Sequence, residues 1–329
     1  MQRLISSNQT AYVEGDLSWT ATSMFGPPPP STVKKIPKLL LKLDFSKAFD
    51  SLASVGALLR VQQKKDNWLQ VAVVPGIEEL TLMLPSSGQK IKYNFPCSLL
   101  SDGVRKSIRY LKLTFCIFRP TAALGHLASL TSLQLHYVRI TGDELECLLT
   151  NSLALEQFVL SCCKKIICLR VPCVLQRFSY LRVEACLRLK LIECKAPNLS
   201  TLDFCGKAIL SLGGPFQIKN LSMQRSNVVC YARAELPPSM PNLDTLTLCS
   251  YDEVVNTPML PTKFPYLKHL VICLGPGTFS SSCDYFSLVS FLDASPSLET
   301  LILEIIEEPM EHESILGHSS HLRQMAEES

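Results

Sequence analysis

Four cysteines within a dozen residues, Cys162, Cys163, Cys168 and Cys173, form the best candidate for a metal site in this chain of 329 residues. Four thiolates would complete a tetrahedral zinc shell, but zinc knuckles pair their cysteines as C-x-x-C and this spacing does not. No metal and no other cofactor is therefore expected. Among the six histidines, His136 and His269 are of interest because both fall on outward positions of expected strands. No Walker loop, G-x-G-x-x-G, H-E-x-x-H or G-x-S-x-G occurs, so the usual nucleotide, zinc-protease and serine-hydrolase signatures are missing. The residues point away from an enzyme.

The elements that position these side chains recur. Leu-x-x-Leu-x-Leu rows begin at Ile77 (IEELTL), Ile108 (IRYLKL), Leu130 (LTSLQL), Leu155 (LEQFVL), Phe178 (FSYLRV), Leu199 (LSTLDF), Ile218 (IKNLSM), Leu243 (LDTLTL), Leu267 (LKHLVI) and Leu298 (LETLIL). A weaker eleventh row is expected at Leu40, Leu43 and Phe45, and the intervals run from roughly 19 to 37 residues. This periodicity predicts a leucine-rich-repeat solenoid of the α/β class, with a curved parallel sheet on the concave side and short helices and coil on the convex side. His136 and His269 then lie six rows apart, about 29 Å at ~4.8 Å per strand, and cannot share a site.

The fourteen cysteines also find an explanation in the repeats. Cys116, Cys163 and Cys186 each follow the last apolar residue of a row by three positions, where the chain turns inward and a small apolar thiol fits. No apolar run follows Arg3 in MQRLISSNQTAYVEGDLSW, so no secretory signal is read. An intracellular location, cytoplasmic or nuclear, with free thiols is expected.

Residues 1–33, ending in Gly26 and Pro27 to Pro30, read as a Pro-rich linker or disordered arm. The repeats are expected over 34–308, and 309–329 as an acidic tail. Pro96 begins a short helix with Leu99 and Leu100 covering the strand behind it. Thr141 to Glu144 is a capping box ahead of Leu145, Leu148 and Leu149. A third helix opens near Asp284, with Phe286, Val289 and Leu292 expected inward. Between Phe204 and Leu243, Gly213-Gly214-Pro215 and Pro237-Pro238 are expected to break any helix. Prolines 197, 241, 265 and 296, each two residues before a row, set an extended approach to the strand.

The net charge of +3 with 19% charged residues lacks the basic excess of a nucleic-acid binder. Lys34, Lys35, Lys38 and Lys42 make the start basic, and Glu299, Glu304, Glu307, Glu308, Glu311 and Glu313 make the end acidic, which reads as solvated faces. No run of eighteen apolar residues occurs, so no membrane partner is expected.

Alternation along each row sends the residues flanking its last two apolar positions to solvent on the concave side. Tyr110, Lys112, Gln134, His136, Gln157, Tyr180, Arg182, Glu184, Asp203 and Gln224 are the candidate contacts for a protein target. Tyr110, Tyr180 and Arg182 lead them, because Tyr and Arg are frequent interface anchors.

Several phrases are more specific than the leucine pattern: residues 68–82 (WLQVAVVPGIEELTL), 93–105 (YNFPCSLLSDGVR), 107–113 (SIRYLKL), 140–147 (ITGDELEC), 226–236 (SNVVCYARAEL) and 254–264 (VVNTPMLPTKF). Over roughly residues 34–325 the chain resembles the grass F-box/LRR/FBD-type proteins. The resemblance implies the substrate-recognition part of a cullin-RING (SCF) ubiquitin ligase receptor, without catalytic residues of its own. In that family an F-box precedes the repeats and grips a Skp-type adaptor, and an FBD region follows them. Neither is recognisable here, so adaptor binding is not expected of these residues. The alternative is a non-ligase copy that binds targets without delivering them, or has no function. Uncovered strand edges and apolar repeat faces at the two ends would favour association unless the arm and tail cap them.

Overall fold

The computed structural model describes residues 38–42 (as backbone), 69–70, 73–84, 93–212, 217–253, 255–275 and 284–305. The Pro-rich segment 1–33 and the acidic segment 309–329 lie outside them, as do Leu43, Phe45 and the Gly213-Gly214-Pro215 break.

Eleven parallel strands form one sheet in strict chain order. They are β1 (Lys38–Lys42), β2 (Glu79–Met83), β4 (Tyr110–Thr114), β6 (Ser132–His136), β7 (Gln157–Ser161), β9 (Tyr180–Glu184), β11 (Thr201–Cys205), β13 (Asn220–Gln224), β14 (Thr245–Ser250), β15 (His269–Leu274) and β16 (Thr300–Ile305). The period-2 alternation of each row buries its last two apolar residues. From Leu80 and Leu82 through Leu270 and Ile272 these pairs are at most 3% exposed. Each repeat closes its core only against its neighbours, which is the architecture of an α/β solenoid. β16 departs from the pattern: Leu301, Leu303 and Ile305 are 47%, 45% and 44% exposed, whereas their register partners Leu270, Ile272 and Leu274 are buried.

The first strand corrects the expected eleventh row. A row Leu40-x-x-Leu43-x-Phe45 would set Leu43 and Phe45 opposite Leu80 and Leu82, but Leu39 and Leu41 stand there, four residues earlier in the chain, and Leu40 aligns with Thr81.

A recurring corner ends the central strands. Phe115, Tyr137, Cys162 and Ala185, each the first residue after its strand, have φ of 51–56°, and Gly206 occupies the same place with φ 151°. A left-handed conformation costs a non-glycine residue about 1–2 kcal/mol. Two gains offset it. The backbone N–H still extends the ladder, as Tyr137 N–H donates to Ser161 O at 2.9 Å and Cys162 N–H to Glu184 O at 3.0 Å. The following residue, Cys116, Val138, Cys163 or Cys186, is thereby turned into the core. The Cys163 thiol donates to Ser161 O at 3.4 Å and Leu135 O at 3.7 Å, and the Cys186 thiol to Leu160 O at 3.8 Å. These are the inward cysteines that the row spacing predicts.

The convex side holds more strand than the sequence suggests. β8 (Cys168–Val171), β10 (Leu191–Cys194) and β12 (Ile209–Leu212) form a second parallel sheet, and β3 (Tyr93–Phe95) pairs with β5 (Cys116–Phe118). Helices back the remaining repeats: α1 (Asp102–Ser107), α2 (Gly142–Thr150), α3 (Val228–Ser239) and α4 (Val289–Ala294), with a 3₁₀ turn at Cys97–Leu99 after Pro96. In α2 the capping box is present on both sides: Glu144 N–H donates to Thr141 Oγ1, and Thr141 N–H to Glu144 Oε2. Leu145, Leu148 and Leu149 are buried as expected.

Two helix expectations are corrected. Pro237 and Pro238 do not prevent α3; they form part of its last turn. Proline φ is helical although each proline forgoes an N–H bond to the turn before it, and remote contacts hold the helix. The buried Glu253 carboxylate accepts from Val229 N–H at 3.0 Å and Cys230 N–H at 2.8 Å, capping an N-terminus that its own Asn227 side chain does not. The buried Arg233 donates to Ser290 O at 3.1 Å, Thr262 Oγ1 at 3.2 Å and Leu260 O at 2.6 Å.

The segment after Asp284 is helical, but Phe286, Val289 and Leu292 point outward, with Phe286 87% exposed. It opens as a 3₁₀ turn over Tyr285–Leu288, and three residues per turn rotate the buried face. Tyr285, Leu288, Phe291 and Ala294 pack on the core instead.

Candidate protein-binding face

The outward residues of the long sheet fall into three rows running across the strands, fixed by strand register. Tyr110, Ser132, Gln157, Tyr180, Thr201 and Asn220 form the first; Lys112, Gln134, Val159, Arg182, Asp203 and Ser222 the second; Thr114, His136, Ser161, Glu184, Cys205 and Gln224 the third. All ten candidate contacts are therefore neighbours on six consecutive strands, although up to 114 residues separate them in the chain. Neighbouring strands lie about 4.8 Å apart.

At its centre the face is cross-linked. The Tyr180 hydroxyl donates to Asp203 Oδ2 at 2.6 Å. Arg182 Nε and Nη2 both donate to Glu184 Oε2, at 2.9 and 2.8 Å, and the Ser161 hydroxyl donates to Glu184 Oε1 at 2.9 Å. Burial and the Asp203 bond push the Tyr180 phenol up. Burial also pushes Glu184 up, but the Ser161 and Arg182 bonds outweigh it and hold the carboxyl below its ordinary range. Such bonds fix rotamers before any partner arrives, which lowers the ordering cost of association.

Two flanking groups are less committed. Burial, then Lys112, lowers the pKa of His136, and Arg182 acts in the same sense against Glu184. Its Nε2 and the neighbouring Thr114 Oγ1 are buried without a hydrogen-bond partner. Burial and Glu79 push Tyr110 up.

Ser161 and Thr114, read from the sequence as solvent-facing, are buried. Ser161 lies between the larger His136 and Glu184, and Thr114 between Met83 and His136. At the strand ends the structure adds residues that the row pattern passes over. Phe115 and Tyr137, consecutive corner residues, stack with centroids 4.5 Å apart and planes 12° apart. Tyr137 is 40% exposed, making an aromatic ledge beside Thr114 and His136. The signal available in the sequence was the aromatic residue directly after two adjacent rows.

The four clustered cysteines are dispersed: Cys162 sits in a corner, Cys163 in the core, Cys168 on the convex sheet and Cys173 is exposed. Among the described residues no group of three or more His, Cys, Asp or Glu side chains is placed to hold a metal ion. His136 and His269 stand on strands six positions apart in the sheet. Among the described residues no helix is long and apolar enough to cross a membrane.

The family model described as "At1g61320/AtMIF1, LRR domain" matches residues 49–329. The chain matches no curated protein.

Proposed function

Because this chain belongs to the leucine-rich-repeat family of the At1g61320/AtMIF1 type, we propose that it is a non-catalytic module that holds a protein target on its concave face. The observation that carries the reading is the preorganised polar cluster of Tyr180, Arg182, Glu184 and Asp203, flanked by Lys112, His136 and the Phe115–Tyr137 ledge. Fixed aromatic and Arg side chains on a rigid sheet are the usual anchors of protein interfaces.

The finer reading makes the module the substrate-recognition part of an F-box receptor in an SCF-type ubiquitin ligase. It rests on the resemblance of the six phrases quoted above. The second reading is a non-ligase copy that holds targets without delivering them.

A pull-down of the 329-residue chain with a Skp-type adaptor, with an intact F-box relative as control, tests the finer reading. Adaptor binding supports the receptor reading, and its absence with a working control removes the adaptor-gripping role from these residues. For the face itself, R182E combined with D203K is expected to abolish capture of a target that the unaltered chain holds. Undiminished capture by that variant would overturn the concave-face assignment.

A further inference from the structure

Toward the end of the sheet the third row changes chemistry. After Cys205 and Gln224 it continues as Cys249 on β14, Cys273 on β15 and Glu304 on β16, each directly opposite the next. The Cys273 thiol donates to Glu304 Oε2 at 3.4 Å. Both cysteines are partly exposed, unlike the core thiols of Cys116, Cys163, Cys186 and Cys194.

Adjacent strands about 4.8 Å apart fall within the Cα separations, about 4.4–6.8 Å, that a disulfide spans. Side chains on the inner side of a curved sheet also lean toward one another, which narrows the gap between the two Cβ atoms. From this placement we propose that Cys249 and Cys273 are a peroxide-responsive dithiol that closes to a cross-strand disulfide on the concave face.

The reaction consumes one hydrogen peroxide per pair. Cys249 sulfur attacks one peroxide oxygen, the O–O bond breaks, and water leaves behind a sulfenic acid on Cys249. Cys273 sulfur then attacks the Cys249 sulfur and the S–O bond breaks. The departing hydroxide takes the Cys273 proton as a second water. The two thiols lose two electrons and peroxide gains them.

The order follows from the surroundings. The Cys273 thiol donates its proton to the Glu304 carboxylate opposite it, so the attack on peroxide is assigned to Cys249. Both cysteines are partly exposed, which places the bridge among disulfides that are readily reduced again. It would lock the side chains of β14 and β15 on the face next to Gln224.

The test treats the folded full-length chain with hydrogen peroxide, alkylates the remaining thiols, and digests with trypsin and chymotrypsin so that Cys273 and Cys283 separate. The expected result is a Cys249–Cys273 peptide pair that dithiothreitol dissolves. In C273S the pair is lost and Cys249 becomes trappable by dimedone. Recovery of Cys249 and Cys273 as alkylated thiols under conditions that oxidise the exposed Cys173 would overturn the proposal. So would a bridge from Cys249 to any other cysteine.

Discussion

Tyr180 and Asp203, twenty-three residues apart in the chain, share a 2.6 Å hydrogen bond across two neighbouring strands at the middle of the candidate face. The bond keeps the phenol protonated and directs the Asp203 carboxylate along the sheet. Y180F is expected to cost at most about 1 kcal/mol of stability, since the group is partly exposed. D203N should lower the Tyr180 pKa toward its ordinary value by removing the charge that raises it. Ultraviolet titration of D203N against the unaltered chain, with Y180F to identify the transition, checks this; an unmoved transition would contradict the bond.

His136 predicts a stability that depends on pH. Burial and then Lys112 depress its pKa in the folded chain below the unfolded value of 6.5. Above about pH 6.5 the imidazole is neutral in both states and nothing is lost. As pH falls from there through the lower folded value, the unfolded chain binds the proton first and the folded state loses stability. H136Q should flatten that part of the profile in urea titrations. K112Q should raise the His136 pKa, read from its imidazole proton resonances, and a fall would refute the role given to Lys112.

Glu253 caps α3 from twenty-four residues downstream. E253A removes the acceptor for two backbone N–H groups at a buried helix start, and a stranded donor costs roughly 1–3 kcal/mol. A loss of about 2–4 kcal/mol in urea unfolding is expected. E253Q, which keeps one carbonyl oxygen, should lose less. Equal losses would show that the carboxylate is not acting as the cap.

Arg233 ties α3 to the segments at Leu260 to Thr262 and at Ser290. R233M keeps most of the volume but strands three acceptors. It should destabilise the chain by about 3 kcal/mol or more, with the loss of amide exchange protection concentrated after residue 255. Uniform loss of protection would argue that the repeats respond as one unit.

Gly142, at the start of α2, has room for no side chain: an added Cβ would lie 2.8 Å from the Cys168 carbonyl oxygen. Alanine is the better helix former by about 1 kcal/mol, yet G142A is expected to destabilise, by roughly 1–3 kcal/mol as the helix is pushed off β8. A raised melting temperature would show that the contact relaxes freely.

The long sheet was legible because its signal is local and repeated. From Leu80 and Leu82 through Leu270 and Ile272 the apolar pairs of the rows are the strands' buried residues, and the inward cysteines and the α2 cap sit where spacing places them. The α3 helix was not legible, since its N-terminal cap is Glu253 and its anchor is a set of carbonyls up to fifty-seven residues away. Propensity read along the chain sees only Pro237 and Pro238. The helix after Asp284 was found, but its face was misassigned because a 3₁₀ opening changes the period.

The sequence by itself determined the repeat, the two faces of each strand from Glu79 to Leu274 and the side chains that point outward, because alternation along a strand is a property of consecutive residues. Tertiary structure decided which outward residues meet. Register brought Tyr180 beside Asp203 and Cys249 beside Cys273, and it covered Ser161 with His136 and Glu184. It also set the convex layer, where β8, β10 and β12 are too short to be stable alone and exist because each repeat presents its edge to the next.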